Sequence, residues 1–261
     1  PTNSALAMQT ASTGPALPYT RAIAHDAGWQ WRIPLQHRIG NGLVYCNDHL
    51  SDDQARERLL GKVDGTALTE PRVIRYTTGC RRKMWNRNCI ALGLSSGFVE
   101  PLESTSIHLI QIGVTRLVKF FPFGGVSDAT VQHYNDLARE ELERIRDFII
   151  LHYHVTERDD SAFWRQVRDM AIPDSLAQRL ALFRDTALVY QDQFDLFRVD
   201  SWLQVMFGQR LEPKSWHHMG QLMSEAQLKT ALGGLKSNIS KAVSRLPSHQ
   251  EFLEQYCPAS R

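Results

Sequence analysis

Two carboxylates flank a proline in the segment Gly93-Leu94-Ser95-Ser96-Gly97-Phe98-Val99-Glu100-Pro101-Leu102-Glu103-Ser104-Thr105, and the chemistry of the chain concentrates there. A short apolar run, Cys89-Ile90-Ala91-Leu92, leads into it, and Ser104-Thr105-Ser106 precede a long apolar helix. Strand, glycine loop, acid and helix start are the parts from which an anion or cofactor site is built. Pro101 stiffens the loop and biases Glu100 toward extended backbone. The Ser/Thr cluster is predicted to cap the helix, whose first N–H groups then face the loop mouth. A carboxylate partly withdrawn from water at such a place can steady positive charge or accept a proton. A plain strand-to-helix corner, with an acid favoured by the helix dipole, accounts for the same residues without any chemistry.

The elements that must hold this loop divide into two kinds. Residues 1–25, rich in Ala, Thr, Ser and Pro, read as a loop or arm. Trp29, Trp31 and Ile33 alternate as the buried face of a strand, Gly40-Asn41-Gly42 reads as a turn, and Leu43-Val44-Tyr45 as the next strand. Ser51-Asp52-Asp53 opens a helix to about Leu60, with Gly61 near its end. Two further strands follow, one with Val73, Ile74 and Tyr76, the other with Cys89, Ile90 and Leu92. After Thr105 the pattern is helical. Ile107, Leu109, Ile110, Ile112, Gly113, Leu117 and Val118 make a helix apolar on most sides, hence expected to be buried, with Pro122 closing it. Ser127-Asp128 caps a long helix through about His152, with Leu137, Leu142, Ile145, Phe148 and Ile149 inward. Helices near 161–170 and 174–188 follow, and Leu228, Leu232, Leu235, Ile239 and Val243 mark a last one from Ser224 to about Arg245. The chain thus reads as a strand-rich part, 1–104, followed by a helical part, 105–261.

The bulk properties exclude several classes. Thirty Lys+Arg against 28 Asp+Glu leave a net charge of +2, which argues against nucleic acid or an anionic membrane as partner. Apolar runs are too short to span a bilayer, and no signal peptide opens the chain. Cys46, Cys80, Cys89 and Cys257 have no paired spacing, which points away from zinc or a disulfide framework and toward the reduced cytoplasm. The ten histidines give no metal-site spacing. His152 and His154 do not share a helix face, and His217-His218 reads as surface or loop. The Arg81-Arg82-Lys83 run suits a pyrophosphate neighbour but is more simply a solvated charge cluster.

Longer motifs in fixed order add an identity. Gly28-Trp29-Gln30-Trp31-Arg32-Ile33-Pro34 resembles the Gly-Trp-x-Trp-x-Ile-Pro signature of the flavin-dependent tryptophan halogenases, which sets them apart from flavin monooxygenases. The 93–105 segment resembles the same family's Gly-Leu-x-x-x-Phe-x-Glu-Pro-Leu-Glu-Ser-Thr text at every fixed position. Pro18-Tyr19-Thr20, Gly79-Cys80-Arg81-Arg82 with Trp85 and Asn88, and Ser201-Trp202-Leu203-Gln204-Val205 with Gly208 and Pro213 continue the resemblance in family order. It implies an α+β fragment of a flavin-monooxygenase-like (para-hydroxybenzoate-hydroxylase-like) FAD-binding fold. It also implies FAD used as FADH2, chloride or bromide as co-substrate, and a separate flavin reductase.

By the same resemblance Glu103 is the catalytic glutamate, and the backbone N–H groups of Thr105 and Ser106 hold the halide. Leu94 and Ile107 approach the flavin, and Ser104 lies between the flavin and a lysine tunnel. Trp29, Trp31 and Pro101 form the wall of the substrate pocket. The apolar pair, Leu94 and Ile107, equally suits ordinary core packing, and the two tryptophans equally suit plain burial. Ser106 stands where the family commonly has Gly, which puts close approach of the halide in doubt.

Two departures qualify the resemblance. No Gly-x-Gly-x-x-Gly loop follows an apolar strand, and the text begins at Pro1 inside the family pattern, so the expectation is the C-terminal half of a longer flavoprotein. The nucleotide fingerprint and the relay lysine would lie in the other half, and the isolated half would be inactive. Enzymes acting on free tryptophan carry a Tyr-Tyr pair, an acid and a Phe-Trp-x-x-x-Asn run before the segment matching 201–213. Here Val189-Tyr190-Gln191-Asp192-Gln193-Phe194-Asp195-Leu196-Phe197 stands instead. The paired polar groups that a zwitterion needs are not evident, so indole or another electron-rich aromatic is the expected substrate. A homodimer is compatible with the sequence. Two rival readings are a non-catalytic halogenase-like binding or assembly module and a flavin-dependent aromatic monooxygenase.

Overall fold

Gly42 explains how the tryptophan strand is built. In the computed structural model, which describes residues 1–259, Gly40-Asn41-Gly42 is not a turn but the middle of a strand. Trp31 pairs with Gly42 across the ladder, and a Cβ on Gly42 would lie 1.9 Å from the Trp31 indole. The missing side chain makes room for the ring, the usual reason for a glycine inside a strand. The true turn is Leu35–His37, closed by the Leu35 N–H donating to the Arg38 carbonyl at 2.9 Å.

The chain falls into two compact units that do not follow its order. Of the described residues, one comprises 4–74 and 215–259, the other 1–3 and 75–214. The first holds strands β1 (Ser4–Ala11), β2 (Arg21–His25), β3 (Gly28–Pro34), β4 (Arg38–Tyr45), helix α1 (Asp52–Leu60) and strand β5 (Arg72–Arg75). The sheet order is β2-β3-β4-β1-β5, with β2-β3, β3-β4 and β1-β4 antiparallel. The expected N-terminal arm is therefore mostly sheet, and β1 is an inner strand. Its residues, Ser-Ala-Leu-Ala-Met-Gln-Thr-Ala, are largely buried. Small side chains suit a strand covered on both faces, but they lack the β-branched and aromatic signal that marks strands. On β3, Trp29 and Gln30 are buried while Trp31 and Ile33 are half-buried, so the expected simple alternation does not hold. Ser51 does cap α1: its hydroxyl accepts from the Gln54 N–H, and the Gln54 side chain accepts from the Ser51 N–H.

The second unit opens with short strand pieces, β6 (Gly79–Cys80), β7 (Trp85–Asn86), β8 (Cys89–Ile90) and β9 (Gly97–Phe98). Helices α2 (Ser106–Lys119), α3 (Asp128–His154), α4 (Ala162–Arg168), α5 (Asp174–Thr186) and α6 (Val199–Gly208) follow. Ser127 caps α3 by accepting from the Thr130 N–H. The inner face of α3 builds two cores. Phe148 and Leu151 pack with Leu176, Leu180 and Phe183 of α5 and Trp202 and Met206 of α6. Tyr134, Ala138 and Leu142 pack under Met84 and Trp85. Asn135 fixes that second contact, accepting from the Trp85 N–H at 2.8 Å and donating to the Trp85 carbonyl at 2.9 Å.

Helix α2 departs from the expectation that it is buried, and a later helix likewise shows an exposed apolar stripe. Only Gly113 of α2 is fully buried, and Ile107, Ile110, Val114 and Val118 are exposed. The stripe of α7 (Glu225–Val243), which belongs to the sheet-containing unit with α8 (His249–Tyr256), is likewise exposed at Leu228, Leu232, Leu235, Ile239 and Val243. An apolar helix face records that it needs a partner but not that the partner lies within the same stretch of sequence. Among the described residues no helix is long and apolar enough to cross a membrane.

Candidate functional site

The 93–106 loop is assembled by close packing against α2. Gly93 has φ of +58°, and a Cβ there would stand 2.7 Å from Ile110 Cγ1; a Cβ on Gly113 would meet Leu92 at 3.2 Å. The left-handed backbone and the contact with Ile110 together require glycine at 93. Ser95 closes the first turn of the loop, its hydroxyl donating to the Leu92 carbonyl at 2.7 Å. A cavity of about 20 Å³ lies beneath, lined among others by Met84, Leu92, Gly93, Leu109, Tyr134 and Leu142. Glu103 does not line it.

Glu100 is the anchor. It is 2% exposed. The Thr2 hydroxyl donates to one carboxyl oxygen at 2.6 Å and the Tyr153 hydroxyl donates to the other. The Thr2 oxygen lies 2.6 Å from the Tyr76 hydroxyl, which donates to it because the Thr2 proton is committed to Glu100. The chain start, the segment after β5 and helix α3 thus meet at one carboxylate. A buried acid with this many donors is a fixture of the loop.

Glu100 then leads into a 3₁₀ turn, Pro101–Glu103, which ends at Ser104 with φ of +54° and ψ of +33°. Thr105 returns to φ −79°, ψ −8°, and α2 begins at Ser106. Thr105 is buried but makes no side-chain cap, contrary to the expectation that the Ser/Thr cluster closes the helix start. A left-handed residue followed by a right-handed one turns successive N–H groups toward one side, the geometry of an anion-binding concavity. The strained backbone is at Ser104, and Ser106 is helical, a conformation in which Ser is at no disadvantage against Gly. The departure at Ser106 therefore leaves the backbone donors intact.

Glu103 has a side chain 30% exposed, at the end of the 3₁₀ turn. Its Oε1 lies 2.9 Å from Nε2 of His152 on α3. It is neither sunk in the core nor free in bulk water. Leu94 and Ile107 are 67% and 79% exposed, which rules out core packing for both within this chain. Pro101 is half-buried beside Glu103. Trp29 and Trp31 belong to the other unit, on β3, with ring centroids 6.1 Å apart. Glu100, Pro101, Glu103, Ser104, Thr105, Ser106 and Ile107 thus follow one another at a single corner, with Leu94 on the same loop.

The segment in place of the free-tryptophan motif is used for packing. Asp195 accepts from Arg179 at 2.5 Å, with both side chains almost fully buried. Asp192 pairs with Arg144 at 2.9 Å, and Arg179 also lies over the rings of Tyr190 and Trp202. Phe197 stacks on Phe148 at 3.9 Å. Both acids of the segment are committed to arginines of the same unit. Tyr153, Phe163 and Trp164 are buried.

His152 is the residue that sequence reasoning passed over. The signal was present: His152 continues the inner stripe of α3 at helical spacing from Ile145, Phe148 and Ile149.

A family profile described as tryptophan halogenase matches residues 1–225. The 7-chloro-L-tryptophan 6-halogenase of Kutzneria sp. (strain 744) is 34% identical over 243 residues, which cover 91% of this chain and 47% of that protein. A flavin-dependent halogenase from Xanthomonas campestris superposes with a TM-score of 0.97 at 48% identity, over 99% of this chain and 52% of its own. One from Brevundimonas sp. BAL3 does so with a TM-score of 0.92 at 43% identity, over 97% of this chain and 52% of its own. The chain spans about half the length of the relatives it matches.

Proposed function

The chain belongs to the tryptophan halogenase family, and on that premise we propose that it is the substrate-side portion of an FADH2-dependent halogenase acting on indole or another electron-rich aromatic. Its setting would be a flavin-monooxygenase-like (para-hydroxybenzoate-hydroxylase-like) fold in the cytoplasm. The corner fits the cofactor it would serve. Leu94 and Ile107 offer exposed apolar contact for a flat ring system, next to a helix start without a side-chain cap. Reduced FAD, delivered by a separate reductase, supplies with oxygen the oxidising equivalents that convert chloride or bromide to hypohalite.

The residues of this chain then have distinct tasks. The N–H groups of Thr105 and Ser106 hold the halide in the concavity that follows Ser104. Ser104 borders the path of the oxidised halogen. Pro101 stiffens the turn that carries Glu103, and Trp29 and Trp31 keep the part of a wall that makes no bond to the reacting atoms. As the carbon–halogen bond forms, the ring becomes cationic. Glu103 steadies that charge and accepts the ring proton, restoring aromaticity. Because Asp192 and Asp195 are already paired with arginines, they offer nothing to an amino-acid substrate, which favours the simpler arene.

The observation carrying this reading is the partly exposed Glu103 on a turn anchored by buried Glu100, directly before the uncapped start of α2. The test uses the intact protein with a flavin reductase, NADH, bromide and indole. Glu103→Gln should lower brominated product by about 10²-fold or more while flavin binding is retained. Turnover equal to that of the wild type would reject the role of Glu103, and a hydroxylated product would make the protein a monooxygenase.

A further inference from the structure

Glu103 is not alone. The His152 ring is held at two points: Nδ1 lies 2.8 Å from the Phe148 carbonyl, one helical turn back, and Nε2 lies 2.9 Å from Glu103 Oε1. A carbonyl can only accept, so Nδ1 carries a proton. The other nitrogen faces a carboxyl oxygen at hydrogen-bonding distance. A proton taken up by either group is therefore held between the two. The ring is also braced sideways. Phe148 meets it edge-on with centroids 4.9 Å apart, and Phe148 is itself fixed between Phe197 at 3.9 Å and Trp202 at 5.0 Å. The backbone of His152 is tied by Gln209, whose side-chain amide donates to the His152 carbonyl at 3.3 Å.

We propose that His152 is a positioning residue that completes Glu103 as a base, by holding the carboxylate in one orientation and sharing the proton it receives. The inference rests on the role proposed for Glu103 and deepens it. In the proton-poor pair, imidazole carries its proton on Nδ1 and Glu103 is a carboxylate. When halogen has bonded to the ring carbon, the C–H bond at that carbon breaks. Its electron pair returns to the ring, and the proton goes to Glu103. Transfer along the Oε1–Nε2 line then leaves imidazolium beside carboxylate, the arrangement with the shared proton. One proton leaves the arene, one is gained by the pair, and solvent removes it before the next turnover. A solvated carboxylate lacks the second site that draws the proton away from the ring.

Substitution separates orientation from proton sharing. Gln at 152 can still donate to Glu103 but cannot take up a proton; Ala does neither. In the intact protein, His152→Gln and His152→Ala should both lower kcat on indole by about tenfold or more, with KM within about twofold. A primary isotope effect should appear with substrate deuterated at the halogenated carbon, because proton loss becomes the slow step. If Gln restores wild-type turnover without an isotope effect, His152 is only a bracket and the proposal falls. The Glu103→Gln variant is the control. If it turns over like the wild type, the reading of Glu103 has failed; if it is inactive while His152→Gln is unaffected, only the present inference has. A second measurement needs no turnover. In the ¹⁵N-histidine spectrum of the intact protein, His152 should carry its proton on Nδ1, and Glu103→Gln, whose amide can donate to Nε2, should shift the Nε2 signal while leaving that of Nδ1 in place. An unchanged Nε2 signal would overturn the pairing of the two side chains.

Discussion

Tyr153→Phe tests whether the loop is anchored at Glu100. The substitution keeps the ring, which packs against Phe163 and Trp164, and removes a single hydroxyl. That hydroxyl donates to Glu100, a carboxylate 2% exposed, so the oxygen it leaves behind has little access to water. A hydrogen bond to a charged group is worth about 1.5–3 kcal/mol net, and loss of the donor alone puts the cost in the upper part of that range. The expected destabilisation is about 2 kcal/mol, or roughly 4–8 °C in Tm for a protein of this size. Urea unfolding of wild type, Tyr153→Phe, Glu100→Ala and the double variant gives the coupling directly. Once Glu100 is gone, the Tyr153 hydroxyl has lost this acceptor, so Tyr153→Phe should cost little in that background, leaving a coupling of about 1.5 kcal/mol. Additivity within about 0.5 kcal/mol would show that the buried carboxylate does not depend on Tyr153, and that something else holds the turn before Glu103.

Two further outcomes follow from the geometry. Gly93→Ala should destabilise by about 2 kcal/mol, since an L residue in the left-handed region costs roughly 1–2 kcal/mol and the new Cβ would stand 2.7 Å from Ile110. Adding Ile110→Ala should recover the contact part and not the backbone part, and complete recovery would disprove the strain at 93. Burial holds His154 below its ordinary value of 6.5, with Arg184 adding in the same direction. The unfolded chain therefore binds the proton more readily, so this contribution to stability is full above the unfolded value and is lost as pH falls through the folded one. His154→Gln should flatten the slope of stability against pH between about pH 5 and 7, and should not abolish it, because His25 in the other unit is lowered by burial as well. An unchanged slope would mean that His154 titrates as it does in the unfolded chain.

What could be read from the sequence, and what could not, follows from how far each signal reaches. Ser51 with Gln54 and Ser127 with Thr130 are contacts within one turn, so the starts of α1 and α3 were legible from a few letters. The 93–105 text gave the corner and Glu103 because its constraints are also local: a left-handed glycine, a proline-led turn and the start of a helix. The errors lie where the deciding partner is distant. Gly42 looks like a turn until Trp31 is placed across the ladder. Inner strand β1 looks like an arm because small residues suffice where both faces are covered. Glu100 is held by Thr2 and Tyr153, one from the chain start and one from α3, and no window on the sequence contains all three. His152 belongs to the same class. Its position on the inner stripe of α3 was readable, but the purpose of an imidazole there appears only once the loop lays Glu103 against it. A motif therefore points to the carboxylate proposed to meet the substrate, whereas the imidazole beside it comes from a different element and is found only by folding the chain.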